Sequence, residues 1–424
     1  MSENSLRTIA IFAAFVLLQL ECFGQNLERV YESAKTAYKA GDYIVYDALM
    51  DSAYTMHPYH QNILWHRARA AALTGQPGKA IESANRAIVL DSRFDLSDSC
   101  FTSIRKTRSF QKLIRMKVRM EGVIGTSDTA FTINDKQLHL ESVAYDPTSK
   151  AFYCGSIYKR KIIKVENGNI SDFVPTGYAG LGSVFSIRID TLRQILWAIS
   201  SPTAQMMNPP DSAKSALYKF DLRNNVLVSV SYPSNPLKSH AFGDLVLGPG
   251  NTPYVSDSEN NIIYKYDSLT TSLVPFYSSE QFWNIQGICF NDDHTLLYVS
   301  DYIKGIFVLN IQKSELKDLK IKEGATTQGT DGMCFYANSL IILQNGVRPF
   351  RVSRLHLTKH GTEVKRIAYL ERNHPVLGEP TIGTIHDHEF FYVASSQWDG
   401  YVDGVIKPDH ELKPIVVLRN TLRK

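Results

Sequence analysis

One pattern of strands and turns decides the fold, and two segments in the second half of the chain show it most clearly. The segment Asn284–Asp301 reads NIQGICFNDDHTLLYVSD, and the segment Thr330–Gly346 reads TDGMCFYANSLIILQNG. Each has a polar pair, a short apolar strand, a turn and a second apolar strand. The pattern occurs six times from Leu138 onward, and most copies continue into a third and a looser fourth strand. Four strands repeated about every 40–60 residues predict a six-bladed β-propeller.

The strand at Thr129–Ile133 is predicted to complete the last blade and to close the ring. A closed ring has no open sheet edge, so it needs no partner to cover one. We expect the all-β propeller to span residues 118–424.

The residues before the propeller predict a small helical array at 27–116. Small residues recur 34 positions apart, as in Ala34 with Ala68 and Ala37 with Ala71. This period resembles the tetratricopeptide repeat, in which antiparallel helices pack closely through small residues. The predicted fold class is therefore an α+β multidomain chain, with a tetratricopeptide-like α-helical array followed by the propeller. Binding of a protein partner and a purely structural role both remain open for the array.

The first 24 residues have the pattern of a signal peptide. Arg7 precedes an apolar run at Ile9–Leu18, and the small residues Cys22 and Gly24 precede a cut at Gln25. Lipid attachment at Cys22 is the alternative. No later segment approaches 18 apolar residues, so we expect an exported protein, periplasmic or secreted, without a membrane span.

The composition gives no support to several classes of protein. A hydrophobic content of 44% and a charged content of 21% are ordinary for a globular chain. The formal net charge of +4 gives no compositional support for nucleic-acid binding. Four cysteines remain after the predicted cleavage, which is too few for a disulfide framework. Cys289 and Cys334 occupy matching points of the two quoted segments, and either a neighbouring pair or two buried thiols would fit.

Polar residues stand where the strands are expected to meet one mouth of the central channel. The first strand of each blade lines the channel, and its start lies beside the end of the antiparallel second strand. The predicted first-strand starts are Glu141, Ser186, Asp244, Gln286, Asp331 and Glu379. The predicted second-strand ends are Ser156, Ser200, Asp257, Asp301, Asn345 and Ser396. Converging carboxylate and amide oxygens suit Ca²⁺ or a similar divalent cation.

A structural interpretation stands beside this metal hypothesis. Asp and Ser are common at strand ends because they satisfy backbone groups there. Asp257 and Asp301 are interpreted as turn residues of this kind. For Glu141, Asp244 and Asp331, a ligand role and a structural role both remain open.

The segments LESVAYDP, FGDLVLGPGNTPYVSD, IQGICFNDDHTLLYVSD and TDGMCF resemble the senescence-marker-protein/gluconolactonase family, and more distantly strictosidine synthase and the paraoxonases. The resemblance covers the propeller part of the chain. It implies a channel metal with ligands at Glu141 and Asp331. Gln286 stands where the family has an Asn, and Gly243, beside Asp244, replaces a second Asn. The implied activity is metal-dependent hydrolysis of a lactone or ester, with Ca²⁺ as the expected metal.

Further candidates for ligand binding at this mouth are Asn345, Arg348, Glu379 and Trp398. Arg348 would hold an anionic or sugar-like group, although a tight Asn-Gly turn with a solvated Arg is the competing interpretation. Trp398 would stack on a ligand, or it packs within the fold. His240 is the candidate general base, with Asp244 as the second.

Two functions from different classes follow. The narrowly favoured one is an exported lactonase-like propeller that hydrolyses a lactone or ester with a divalent metal. The alternative is a non-catalytic binding protein, whose channel holds a small-molecule ligand and whose helical array docks a protein partner. The ring of carboxylates favours the first function, and the incomplete ligand set favours the second.

Overall fold

A computed structural model describes residues 26–210, 212–235, 237 and 239–423. The chain divides into two compact units between Met120 and Glu121. The predicted signal peptide and its cleavage site lie outside the described residues. Within the described residues, no helix combines the length and the apolar character that a bilayer crossing requires.

The first unit is helical. Its helices are α1 (residues 26–39), α2 (Tyr43–Met56), α3 (Gln61–Leu73), α4 (Pro77–Leu90) and α5 (Arg108–Glu121). The recurring small residues are buried: Ala34, Ala68 and Ala71 are at most 1% exposed. Small side chains let α3 pack against both α2 and α4. A helical region is therefore present, whereas these observations do not establish a tetratricopeptide repeat.

The second unit is the predicted six-bladed β-propeller, and its strands are antiparallel within each blade. Blade one contains β3 (Leu140–Asp146), β4 (Ala151–Ser156), β5 (Ile162–Glu166) and β6 (Asn169–Val174). Blade two contains β7 (Ser183–Asp190), β8 (Ile195–Ser201), β9 (Ala216–Asp221) and β10 (Val226–Ser231). Blade three contains β11 (Phe242–Leu247), β12 (Pro253–Asp257), β13 (Ile262–Asp267) and β14 (Ser272–Ser278).

Blades four to six follow in chain order. Blade four contains β15 (Ile285–Phe290), β16 (Leu296–Asp301), β17 (Gly305–Asn310) and β18 (Glu315–Asp318). Blade five contains β19 (Thr330–Phe335), β20 (Ser339–Gln344), β21 (Arg351–Leu357) and β22 (Val364–Arg372), with β1 (Ile124–Gly125) as a fifth strand. Blade six contains β23 (Gly383–His386), β24 (Glu389–Val393), β27 (Ile415–Thr421) and β2 (Asp128–Ile133). A small hairpin of β25 (Tyr401–Val402) and β26 (Val405–Ile406) lies between β24 and β27.

Blade six closes the ring as predicted. β2 pairs antiparallel with β27, with Thr129 opposite Leu418 and Ile133 opposite Ile415. The first and last parts of the propeller sequence therefore share one sheet. The first strand of each blade contacts the first strand of the next, and β23 contacts β3. These contacts make the innermost strands a continuous wall around the channel.

The apolar core lies between neighbouring blades. Tyr153 of blade one packs with Val184 of blade two, and Cys289 of blade four packs with Met333 of blade five. Cys289 is 4% exposed, as expected for a small buried hydrophobe. All four cysteines within the described residues carry free thiols, so Cys289 and Cys334 are not joined.

Candidate functional site

The innermost strands of blades one to five each shift register near their start. These shifts are β-bulges, which place an extra residue on one strand and break the alternation of side chains. They lie between Leu140 and Ser142, Val184 and Ser186, Phe242 and Leu245, Ile285 and Ile288, and Thr330 and Gly332. Each contributes one residue to the lining of a single cavity: Glu141, Phe185, Gly243, Gln286 and Asp331. The bulges therefore build this mouth of the channel.

The cavity has a volume of about 400 Å³. This lies within the range of small-molecule sites. The five bulge residues share the lining with Asn284, Tyr302, Asn345, Glu379 and Trp398. Three of the lining residues are acidic, and none of those described is a Lys, Arg or His. The lining therefore combines aromatic rings with a net negative charge.

Glu141 and Asp331 are the strongest electrostatic feature of this cavity. Glu141 is 5% exposed, and the Trp398 Nε1–H donates to its two carboxylate oxygens over 3.4 and 3.2 Å. Burial raises the pKa of Glu141 well above its usual range, and the nearby Asp331 charge raises it further. The poorly solvated surroundings of Asp331 raise its pKa to about 7, although the bond from Asn345 opposes the shift. The pair consequently favours a proton or a bound cation.

Glu379 adds a third acidic group. Its Oε2 accepts a hydrogen bond of 2.7 Å from the Trp398 backbone N–H. Burial raises the pKa of Glu379 above its usual value, and its charge also raises the pKa of Glu141 and of Asp331. The sequence placed Glu379 at the start of a strand, whereas β23 begins only at Gly383. Glu379 reaches the cavity from the preceding loop.

Amide side chains orient the acids. The Asn345 Nδ2–H donates to Asp331 Oδ2 over 2.9 Å, and the Tyr302 hydroxyl donates to Asn345 Oδ1 over 2.9 Å. These two hydrogen bonds fix the orientation of the Asn345 amide, with its nitrogen toward Asp331 and its oxygen toward Tyr302. On the opposite wall, the Gln286 Nε2–H donates to Asn284 Oδ1 over 2.8 Å. The amide oxygen of Gln286 is thereby turned toward Gly243.

The Gly243 position and the Gln286 side chain are sterically linked. A Cβ added at Gly243 would lie 2.9 Å from Gln286 Oε1, which is closer than such contacts occur. The same Cβ would also lie 2.9 Å from Ser258 Oγ, so a side chain at position 243 would have to displace both Gln286 and Ser258.

Asp244 does not line the cavity. It is 0% exposed, and its Oδ1 accepts hydrogen bonds of 2.8 Å from the Ser186 hydroxyl and from the Leu245 N–H. Its Oδ2 accepts from the Ile288 N–H over 3.2 Å, and Arg188 lies 3.3 Å from Oδ1. The bulge turns Gly243 into the channel and Asp244 into the wall. Asp244 thus joins blades two, three and four, which is a structural role rather than the predicted metal and catalytic roles.

Two other candidates also lie away from the lining. His240 Nδ1 lies 2.7 Å from Asp257 Oδ2, and the ring does not line the cavity. Arg348 donates from Nη1 to the Asn345 and Val347 carbonyls over 3.1 Å, and its guanidinium lies 3.7 Å from the Phe350 ring centroid. The structure therefore does not bring the predicted general base or the predicted anion-binding Arg into the cavity wall.

The turn interpretation of Asp257 and Asp301 is confirmed. Asp257 Oδ1 accepts from the backbone N–H of Ala241 over 3.1 Å and of Glu259 over 3.2 Å. Asp301 accepts from the backbone N–H of Asn284 over 2.9 Å and of Ile303 over 3.0 Å, among others. Both side chains satisfy loop backbone groups, as strand-end Asp residues commonly do.

Sequence reasoning missed Phe185, Asn284 and Tyr302 in the lining. Phe185 and Asn284 each lie within two residues of a predicted start, so only the bulges decide which residue enters. Tyr302 directly follows the second-strand end at Asp301, and this position was the available signal.

The sequence also gave no indication of the residues that pack against Trp398. Buried His139 contacts the Trp398 ring at 4.6 Å between centroids, and its Nδ1 lies 2.6 Å from the Tyr401 hydroxyl. Burial lowers the pKa of His139 to about 3, so that the ring is neutral near pH 7.

The donor set fits a hard cation in its chemistry. Glu141 and Asp331 offer carboxylate oxygens, and Gln286 offers an amide oxygen, which is the ligand type that Ca²⁺ prefers. Within the part of the chain that the structure describes, no three Asp, Glu, His or Cys side chains form a metal-binding group. A metal at this site therefore remains a prediction.

A second cavity of about 350 Å³ lies at the other end of the innermost strands. Its lining includes Arg188, Cys289, His294 and Cys334. Because Arg188 is already paired with Asp244, its charge is largely compensated.

Comparisons with known proteins give the chain no family. No protein-family model matches it, and no curated protein matches it. Among solved structures, a gluconolactonase from Xanthomonas campestris is similar, with a TM-score of 0.48, 12% identity and coverage of 70% of this chain and 91% of that one. The PQQ-bound aldose sugar dehydrogenase from Streptomyces coelicolor has a TM-score of 0.46, 15% identity and coverage of 70% and 98%. Virginiamycin B lyase from Staphylococcus aureus has a TM-score of 0.46, 14% identity and coverage of 69% and 98%. At these scores, the similarities carry no argument about function.

Proposed function

We propose that the protein is a hydrolase of a lactone or ester whose channel cavity holds a divalent cation, with Ca²⁺ as the expected metal. The main support for this proposal is the pair Glu141 and Asp331, which lies in a cavity lined by three acidic residues and by no described basic residue. Carboxylates in poorly solvated surroundings are unstable unless a cation or a proton accompanies them. A bound divalent cation would polarise a substrate carbonyl and make a water molecule more acidic.

We assign the binding of the cation and the transfer of a proton to different residues of the cavity. Glu141 and Asp331 would hold the cation, and Gln286 would add an amide oxygen. Glu379 lines the same cavity, and burial raises its pKa, which makes it a stronger base than an ordinary carboxylate. Glu379 therefore replaces His240 and Asp244 as the proposed general base, because neither of those residues lines the cavity.

The test is hydrolysis of a panel of aliphatic and sugar lactones and simple esters with Ca²⁺, Mn²⁺ or Zn²⁺. We expect Glu379→Gln to lower kcat by about 10²–10⁴-fold while cation binding is retained. Glu141→Gln and Asp331→Asn should instead weaken cation binding. Asp318→Asn, on an exposed strand of blade four, is the matched control. No turnover above buffer, with a cation demonstrably bound, would reject the hydrolase.

A non-catalytic binding protein is the second candidate, and the aromatic residues favour it. Phe185 and Trp398 both line the cavity, and their rings are stacked with centroids 6.4 Å apart. Such rings offer a face for a sugar or another flat ligand. Binding of an unmodified sugar lactone in calorimetry, without hydrolysis, would support this candidate over the first.

The second candidate includes a protein partner for the helical unit. A mostly apolar pocket of about 140 Å³ lies there, lined in part by Tyr31, Tyr38, Tyr46 and His66. A side chain of a partner would fit this volume. Export of the protein is also part of the proposal, and N-terminal sequencing of the mature chain tests it by showing whether the cut lies near Gly24/Gln25.

A further inference from the structure

One short segment of the helical unit is strongly basic. Seven of the 15 residues from Arg105 to Arg119 are Lys or Arg, and none is acidic. The formal net charge of the whole chain is only +4, so this segment contrasts with the rest. Most of the segment lies on α5, which begins at Arg108.

Four of these cations lie in a row along α5. Arg108, Lys112, Arg115 and Arg119 follow one another at intervals of three or four residues, and all four are exposed. We call these four residues the basic stripe. At 1.5 Å per residue the stripe is about 17 Å long. The opposite face buries Phe110, Leu113 and Met120, which fixes the direction in which the stripe points.

Electrostatic repulsion within the basic stripe lowers the stability of α5. Like charges three or four residues apart repel each other across a helix surface. None of the positions three or four residues from Arg108, Lys112 or Arg115 is acidic. Arg108 also lies in the first turn, where the helix dipole disfavours a cation. Arg119 lies in the last turn, where the helix dipole favours a cation, so the unfavourable placement concerns Arg108, Lys112 and Arg115. A partner with negative charge would offset the repulsion among these three residues.

The residues around the basic stripe favour one class of anionic partner over the others. Protein interfaces have an apolar core, and single-stranded nucleic acids are bound by stacking aromatic rings. The exposed face of α5 has no aromatic ring, because its only aromatic residue, Phe110, is 0% exposed, and Val118 is its one exposed large apolar side chain. The headgroups of a membrane form a planar array that adapts to a convex row of point charges. We infer that the basic stripe docks the protein on the surface of a membrane that contains anionic phospholipids.

The contact would be peripheral and electrostatic. The apolar face of α5 is used within the fold, so α5 would not insert as an interfacial amphipathic helix does. Each Lys or Arg close to such a surface contributes about five-fold in affinity. The four residues together would contribute several hundred-fold (about five-fold each), and added salt would reduce the effect. The inference does not depend on the proposed hydrolase activity.

The test is co-sedimentation of the full chain with vesicles of phosphatidylcholine mixed with phosphatidylglycerol, against vesicles of phosphatidylcholine alone. We expect binding to the anionic vesicles that falls with salt. The variant R108Q/K112Q/R115Q/R119Q should lose it several hundred-fold, and K112Q alone about five-fold. R108K/R115K/R119K keeps the charge and should bind like the wild type.

A matched control separates the stripe from net charge. Lys313, Lys322, Lys359 and Lys365 are exposed on the propeller, and K313Q/K322Q/K359Q/K365Q removes the same number of charges. This variant should bind like the wild type. Equal losses in both quadruple variants, with both shown folded by circular dichroism, would overturn the inference. So would unchanged binding of the stripe variant, or tighter binding of the stripe to RNA or poly-glutamate than to the vesicles.

Discussion

Replacing Asp331 with Asn tests the electrostatics of the channel directly. The change keeps the size of the side chain, and an amide oxygen still accepts the bond from Asn345. It removes a carboxyl group whose pKa is raised to about 7 by its poorly solvated surroundings. In the unfolded chain an Asp has its ordinary pKa of about 3.9, so the folded state binds the proton more tightly.

The sign of the effect follows from this difference. A raised folded-state pKa means that the wild type is most stable below about pH 4 with respect to this group. It loses stability as the pH rises to about 7, and the loss is constant above that. Three pKa units at 1.36 kcal/mol each make the total about 4 kcal/mol, of which about 3 kcal/mol falls between pH 5 and pH 8. Asp331→Asn should therefore gain about 3 kcal/mol relative to the wild type over this interval.

Urea unfolding followed by Trp fluorescence, with a chelator present, measures this gain. Asp318→Asn, at an exposed position of blade four, is the matched control for the substitution. Added Ca²⁺ should restore the stability of the wild type at pH 8 by mass action and leave Asp331→Asn unchanged. Parallel pH profiles for the wild type and Asp331→Asn would refute the reasoning, since the carboxylate would then be well stabilised by its surroundings.

Three further predictions concern the architecture around the site. Gly287→Ala should lower the free energy of unfolding in urea by about 1–3 kcal/mol or more, because the new Cβ would lie 2.4 Å from the Asp331 carbonyl oxygen. Gly78→Ala is the control and should not destabilise the protein, because the space around Gly78 is open. Gly243→Asn should destabilise the wild type, and Gln286→Asn should relieve only part of this loss, because Ser258 Oγ would also lie 2.9 Å from the new Cβ. Additive effects in the double-mutant cycle would disprove the steric link between positions 243 and 286. A chain that starts at residue 126 lacks only β1 of the propeller's strands and should fold as a propeller, whereas one that starts at residue 134 also lacks β2 and should unfold at a lower temperature. Equal Tm values for these two chains would contradict the closing role of β2.

The bulges explain why the candidate residues were only partly correct. Strand alternation predicts the face of each residue once the register is known, and a single inserted residue reverses it. Glu141, Gln286 and Asp331 enter the cavity as predicted. In blades two and three the neighbouring residues Phe185 and Gly243 enter instead, and Asp244 is turned into the wall. No local pattern in the sequence distinguishes these two outcomes.

The sequence by itself determined the repeat, the number of blades and the strand that closes the ring. These features depend on apolar periodicity and on turn residues, which are local properties of the chain. It also indicated that carboxylates and amides gather at one mouth, because strand ends in a propeller meet there.

Only the tertiary structure decided which of these side chains share the cavity. The bulges, the space beside Gly243 and the loop that carries Glu379 depend on contacts between blades that are distant in sequence. The raised pKa values of Glu141 and Asp331 have the same origin, because desolvation and the proximity of like charges arise only when the ring has closed.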